Sequence, residues 1–109
     1  MPREVGLPPG TLTVLILRLL AAQPLHGYAI AQRIHLLSHE ELSVEEGSLY
    51  PALQKLLLNG WVKATWTTSE SGREVREYRL TPGGRKQLDT ALAEYRRTSQ
   101  AIDLVLDNA

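Results

Sequence analysis

The sequence predicts a mainly α fold carrying one small β-hairpin, and three observations lead to it. Apolar residues recur at helical spacing in three segments between Leu12 and Leu57. A β-rich run from Trp61 to Trp66, a turn-rich stretch from Thr67 to Gly72 and an alternating run from Val75 to Leu80 then spell a hairpin with a polar tip. Finally, Thr81-Pro82 supplies an N-cap and a first-position proline for a last, long helix. At 109 residues there is room for one domain. A hydrophobic content of 43% with 22% charged residues belongs to a folded chain rather than a disordered one.

Each element has its own signals. Pro8-Pro9-Gly10 punctuates a start, Thr11 is the expected N-cap, and Leu12 to Ala22 forms a first helix, apolar nearly all round and therefore buried on several sides. Pro24 stops it. Tyr28, Ile30, Ile34 and Leu37 place an amphipathic second helix from about Gly27 to Ser38. Ser43 with Glu46 three residues later reads as a capping box opening a third helix. Pro51 leaves two readings of that helix. Either Gly47, four residues earlier, relaxes the backbone and the helix runs through with a kink, or the regular helix begins only at Pro51. In both, Leu49, Leu53, Leu56 and Leu57 share one face and Gly60 ends the helix in a left-handed cap. The last helix, if it reaches Asp107, spans about 39 Å, more than so small a domain needs for its own core.

Three helices followed by a hairpin are the layout of a winged helix-turn-helix. The expected organisation is an N-terminal tail over 1–10, a winged helix-turn-helix over 11–80 and a dimerisation helix over 81–109. The last of these rests on a stripe: Leu88, Leu92, Tyr95, Ser99, Ile102 and Leu106 are spaced 4, 3, 4, 3, 4, the two-per-heptad seam of a helix that pairs with its own copy, the alternative being a stripe that packs on its own domain.

Composition removes several classes of function. Without cysteine there are neither disulfides nor thiolate metal sites, and His26, His35 and His39 form no ligand cluster, although His35 and His39 could share a helix face. No metal or cofactor is expected. Catalysis has little to stand on: there is no glycine-rich phosphate loop and no nucleophile with a supporting base. Gly83-Gly84 lacks the spacing of a dinucleotide fingerprint and reads instead as a small-residue corner where hairpin and last helix meet. The Leu12–Ala22 run is interrupted by Arg18 and is too short to span a bilayer, so it is expected to be a buried helix of a cytoplasmic protein with no membrane partner.

The charge balance is even, 12 basic against 12 acidic residues, whereas nucleic-acid-binding domains are often basic. Its distribution is not even. Glu40, Glu41, Glu45 and Glu46 cluster before the third helix, while Lys55, Lys63, Arg73, Arg76, Arg79, Arg85 and Lys86 carry most of the second half's positive charge. Double-stranded DNA is the expected partner. Gln54 can pair with adenine through two hydrogen bonds, and Lys55 can reach guanine or a phosphate. Ser48 and Tyr50 suit phosphate oxygens, which set register without reading sequence. Tyr28 opens the second helix, whose free amides can hold a phosphate. Arg73 and Arg76, with Lys63 behind them, are the wing's expected contacts. The rival reading, drawn from the zero net charge and the acidic cluster, is a winged-helix module that binds another protein and no DNA.

Several segments carry a more specific likeness. Leu25-His26-Gly27-Tyr28, Gly47-Ser48-Leu49-Tyr50-Pro51-Ala52-Leu53, Asn59-Gly60-Trp61-Val62 and Tyr78-Arg79-Leu80-Thr81-Pro82-Gly83-Gly84-Arg85 together resemble the PadR family of bacterial transcriptional regulators, over about Thr11 to Leu106. The length resembles the compact type with one C-terminal dimerisation helix. The resemblance implies a homodimeric winged-helix repressor with its third helix in the major groove and its wing at the minor groove or backbone, on a pseudo-palindromic operator. It also implies that a small hydrophobic or aromatic effector can release the DNA, and Leu12, Leu15, Tyr95 and Ser99 are the expected lining of such a site. The chain departs from the family in two respects: its last helix has no tryptophan, Tyr95 being the only aromatic there, and Glu45 and Glu46 open the third helix, where they repel phosphate and Glu46 is expected to be a cap rather than a DNA contact.

Overall fold

The computed structural model describes Leu7 and residues 10–109. The expected tail over 1–10 and the Pro8-Pro9 punctuation therefore lie largely outside the described residues. The order is α1 (Thr11–Ala22), β1 (Leu25–His26), α2 (Gly27–Leu37), α3 (Glu46–Leu58), β2 (Val62–Thr68), β3 (Glu74–Leu80) and α4 (Pro82–Asn108). The sheet is antiparallel, in the order β1-β3-β2. The mainly α winged helix-turn-helix with a long C-terminal helix is thus the observed architecture.

The core follows the helical periodicity except in the second helix, where Ile30 and Ile34 are buried but Tyr28 and Leu37 are exposed. Ile16, Leu17 and Leu20 from α1, Ile30 and Ile34 from α2 and Leu49, Leu53 and Leu56 from α3 close around Leu25, Val62, Tyr78 and Leu88. No polar or charged side chain is buried among the described residues. Hydrophobic burial therefore holds this domain together without buried charge to compensate.

Three local expectations change. Thr11 is the first helical residue rather than the cap, because Gly10, with φ +88°, makes the turn into α1. The Ser43–Glu46 capping box does not form: the chain stays extended to Glu45, and α3 starts at Glu46 with no side-chain cap. Leu42 and Val44 explain the delay, since both pack against the core and hold this stretch out of the helix. His35 and His39 share no helix face, because α2 ends at Leu37 and His39 turns away with φ +55°. The His35 ring instead engages the Leu42 carbonyl through Nδ1 at 2.9 Å. The Ser38 hydroxyl closes the same turn, donating to the His35 carbonyl at 3.0 Å and accepting the Leu42 amide at 2.9 Å.

Pro51 sits inside α3, so the helix does not begin there. Pro51 has no amide to give the Gly47 carbonyl, and Gly47 is exposed, with open space where a Cβ would stand. Water can serve that carbonyl, so the proline is tolerated on the outer face. The end of α3 follows the expected left-handed cap. Gly60 has φ +72°, its amide bonds the Leu57 carbonyl at 3.0 Å, and the Trp61 amide bonds the Leu56 carbonyl at 3.0 Å. That is the double hydrogen bond of a Schellman motif.

The hairpin runs from Val62↔Leu80 at its base to Thr68↔Glu74 near its tip. Ser69 and Arg73 close the turn, with Gly72 at φ +83° supplying the left-handed residue. β1 was not anticipated. It is only two residues, Leu25↔Tyr78 and His26↔Glu77, too short to show a period of two.

The base of the hairpin locks onto α4. The Thr81 hydroxyl donates to the Gly60 carbonyl at 2.7 Å and accepts the Gly84 amide at 3.0 Å, while the Thr81 amide donates to the Trp61 carbonyl at 3.1 Å. A Cβ on Gly84 would overlap the Trp61 carbonyl oxygen and stand 2.7 Å from Leu80 Cδ1. The sequence corner at Gly83-Gly84 is therefore a real close approach. In urea unfolding at fixed protein concentration, Thr81→Ala should cost about 1–2 kcal/mol through the lost cap. Gly84→Ala should cost at least about 1–3 kcal/mol by overpacking, because backbone on the Trp61 side cannot yield easily. A Gly84→Ala variant as stable as the wild type would refute the close approach.

Candidate nucleic-acid interface

α3 buries Leu49, Leu53 and Leu56 and turns its other side outward. At about 100° per residue, the middle of the outer face is Gly47, Pro51, Gln54 and Leu58, all exposed. Ser48 and Lys55 flank it on one side and Tyr50 on the other, and all three are exposed too. Gln54 is thus the central hydrogen-bonding side chain of this face, with Lys55 beside it. Glu45 and Glu46 lie exposed at the helix start, where they suit the positive end of the helix dipole.

Tyr50 has a double life. It is 47% exposed, yet a Cβ on Gly27 would stand 3.4 Å from its Cε1 and 3.5 Å from its hydroxyl oxygen. The absence of a side chain at Gly27 lets the ring lie across the start of α2. There the N-cap residue His26 makes no side-chain cap, and Tyr28 projects into solvent. The Tyr50 ring therefore lies against the buried Gly27 at the start of α2, and the next residue, Tyr28, is exposed.

The sheet sorts the wing residues by face. Ala64, Trp66, Arg76 and Tyr78 occupy one face, and Lys63, Thr65, Glu77 and Arg79 the other. Trp66 and Arg76 are directly opposed, and the Arg76 guanidinium carbon lies 5.8 Å from the ring centroids of both Trp66 and Tyr78. On the opposite face Arg79 pairs with Glu77 at 3.0 Å, with Lys63 as its cross-strand neighbour. Arg73 sits in the tip, its amide 3.3 Å from the Ser69 hydroxyl. The structure therefore gathers Tyr50 and Arg76 on the same side, around Tyr78, and sets Lys63 apart from them. Burial holds the Tyr78 phenol above its ordinary pKa of 10.0, the Arg76 charge opposing that shift and the negative charge of an ionised Tyr50 hydroxyl reinforcing it. Trp66 is the residue that sequence reasoning missed. Its place opposite Arg76 was hidden until the hairpin register was known.

The expected dimer seam divides in two. Leu88 is only 5% exposed and Leu92 is partly buried, both packed on the protomer's own core. They leave little surface for a partner, because the first turns of α4 already cover α1. Beyond them Tyr95, Ile102 and Leu106 are exposed, Leu106 at 72%, and Ser99 is half-buried between them. Of the expected effector lining, Leu12 and Leu15 pack against the core. A shallow groove of about 330 Å³ lies elsewhere, lined by Arg18, Leu19, Ala22, Leu25, Arg33 and Leu37 among others. No group of side chains suited to a metal ion occurs among the described residues. No helix among them is long and apolar enough to cross a membrane.

Known proteins share this arrangement. Residues 16–90 match the Transcriptional regulator PadR-like family. A transcriptional regulator from Clostridium thermocellum superposes with a TM-score of 0.79 at 30% identity, covering 86% of this chain and 91% of that one. A PadR family transcriptional regulator from Eggerthella lenta superposes with a TM-score of 0.76 at 26% identity, covering 92% and 85%. An uncharacterised 37.1 kDa protein in transposon Tn4556 of Streptomyces fradiae is 40% identical over 89 residues, which is 82% of this chain and 24% of that protein.

The raised Tyr78 pKa has a consequence for stability. The native state binds the phenolic proton more tightly than the unfolded chain does, so its contribution is complete below about pH 10 and is lost as pH rises through the folded value. Alkaline titration followed by tyrosinate absorbance should show a late component that Tyr78→Phe removes. A Tyr78→Phe curve identical to the wild type in its late phase would contradict the assignment.

Proposed function

The chain belongs to the PadR-like family of transcriptional regulators, and from that premise we propose that it is a sequence-specific DNA-binding repressor acting as a homodimer on a pseudo-palindromic operator. The outer face of α3 carries this reading, because it is exposed and free of core duties. In it, α3 enters the major groove with Gln54 and Lys55 reading base edges and Ser48 on phosphate. Tyr50, Tyr28 and the first amides of α2 hold a phosphate. Arg76 and Arg73 contact the backbone or minor groove from the wing, and Lys63 has a lesser part from the other face. The regulator family to which the chain belongs is not a family of enzymes.

Dimerisation is assigned to the outer part of the α4 stripe. Tyr95, Ile102 and Leu106 are exposed apolar groups on one helix face with Ser99 among them, and pairing with a second copy would cover them. Leu88 and Leu92 anchor the same helix to its own domain. An effector that displaced the DNA would bind between the last helices and the first helix, with Leu12, Leu15, Tyr95 and Ser99 as its lining.

Fluorescence anisotropy with DNA from the protein's own promoter at two salt concentrations tests the main reading. Affinity should fall steeply with salt and should exceed that for random DNA. Lys55→Ala should weaken binding and flatten the salt dependence by a slope of about 1, and Gln54→Ala should relax base preference by about 1–3 kcal/mol. A protein that retains a stoichiometric protein partner and shows no preference over random DNA would favour the rival protein-binding reading. For the dimer, light scattering at micromolar concentration should give twice the chain mass, and Ile102→Asp with Leu106→Asp should halve it. A monomeric wild type would remove the proposal.

A further inference from the structure

The geometry points to Trp66 as the residue that positions Arg76 for DNA, which makes the wing's contact a pair of side chains rather than a lone cation. This rests on the DNA-binding reading above. Trp66 is 68% exposed, yet it is neither near the core nor spare. It stands directly across the hairpin from Arg76, whose guanidinium is 5.8 Å from the indole centroid and 5.8 Å from the Tyr78 centroid. Tyr78 is fixed because it is buried. The guanidinium is thus attracted to two rings, one rigid and one at the surface.

Such a site is built for presenting a cation outward. An arginine side chain is long and loses rotamer freedom when it binds, so holding it beforehand reduces what association must supply. Ring faces attract the guanidinium through their quadrupole and leave its edge N–H donors free, whereas a carboxylate would consume them. Of the carboxylates on the same strand, Glu77 points to the opposite face and is paired with Arg79, while Glu74 shares the Arg76 face without forming an ion pair with it. No ion pair among the described residues involves Arg76. Held against the indole, the Arg76 guanidinium can reach a phosphate or the minor-groove floor.

A double-mutant cycle read by anisotropy with promoter DNA tests the inference. Arg76→Ala should weaken binding about tenfold and Trp66→Ala about fivefold, and the double variant should be hardly weaker than Arg76→Ala, because Trp66 acts through Arg76. Trp66→Leu keeps apolar bulk without a π face and should resemble Trp66→Ala, whereas Trp66→Phe should retain most of the affinity. Two outcomes overturn the inference alone: wild-type affinity in Trp66→Ala, or equal losses for that substitution with and without Arg76. A wild-type protein with no preference for its promoter would overturn both this inference and the DNA-binding reading.

Discussion

The fold depends on one close approach, that of the first turn of α4 to the backbone of Gly60 and Trp61. Three hydrogen bonds made by Thr81 and the bare Cα of Gly84 hold it. Four chain segments meet there: the end of α3, the start of β2, the end of β3 and the start of α4. The Gly60 carbonyl, left over by the left-handed cap of α3, is satisfied by the Thr81 hydroxyl, and that hydroxyl in turn caps α4. One threonine thereby satisfies orphan groups from two helices. No other residue type combines a short hydroxyl side chain with the extended backbone found here at φ −93°, ψ 167° as well as serine or threonine does.

This joint sets the geometry of everything outside it. α3 leads into it, the wing begins and ends at it, and α4 leaves from it with Leu88 and Leu92 laid on α1. Arg85 adds a tie from α4 to the Ala21 carbonyl at the end of α1, at 3.4 Å. The proposed DNA-reading helix and the proposed dimerisation helix are therefore fixed to each other through backbone contacts rather than through a flexible linker. Backbone-to-backbone contact of this kind transmits orientation with little loss, because interiors are densely packed and compress poorly. A shift of α4 against its partner copy would move α3 with it.

Much of this was legible in the sequence, and the misses share a cause. The four helices, the hairpin, the Gly60 cap and the Thr81-Pro82 start announce themselves through periodicity and cap chemistry, which are local. Ser43 misled because its three-residue spacing to Glu46 mimics a capping box, while the deciding force is tertiary: Leu42 and Val44 pull the preceding chain onto the core as an extended segment. The two-residue β1 leaves no pattern, and its pairing with Tyr78 exists only through distant contact. Leu88 and Leu92 belong to the stripe that the spacing marks, but a stripe does not say which of its positions face the parent domain. Trp66 was passed over for the same reason, since which charged residue lies across a hairpin follows from register, and register depends on the turn.

The outer face of α3 bears on how specificity can arise. Its midline is Gly47, Pro51, Gln54 and Leu58, so only one residue on it can exchange two hydrogen bonds with a base. Glycine and proline there keep the helix slim and bring its backbone close to whatever it faces, but they carry no base code. A single copy of such a surface would bind with modest discrimination, and its zero net charge gives it little of the non-specific attraction that more basic domains have. The remedy lies in repetition and in preorganised phosphate contacts. In the proposed dimer, two copies joined through α4 would make the second half-site an intramolecular event, and the effective concentration gained would raise overall avidity by about 10²–10⁴ without a new contact. On that account the exposed apolar end of α4 matters as much to the reading of DNA as the helix that would touch it.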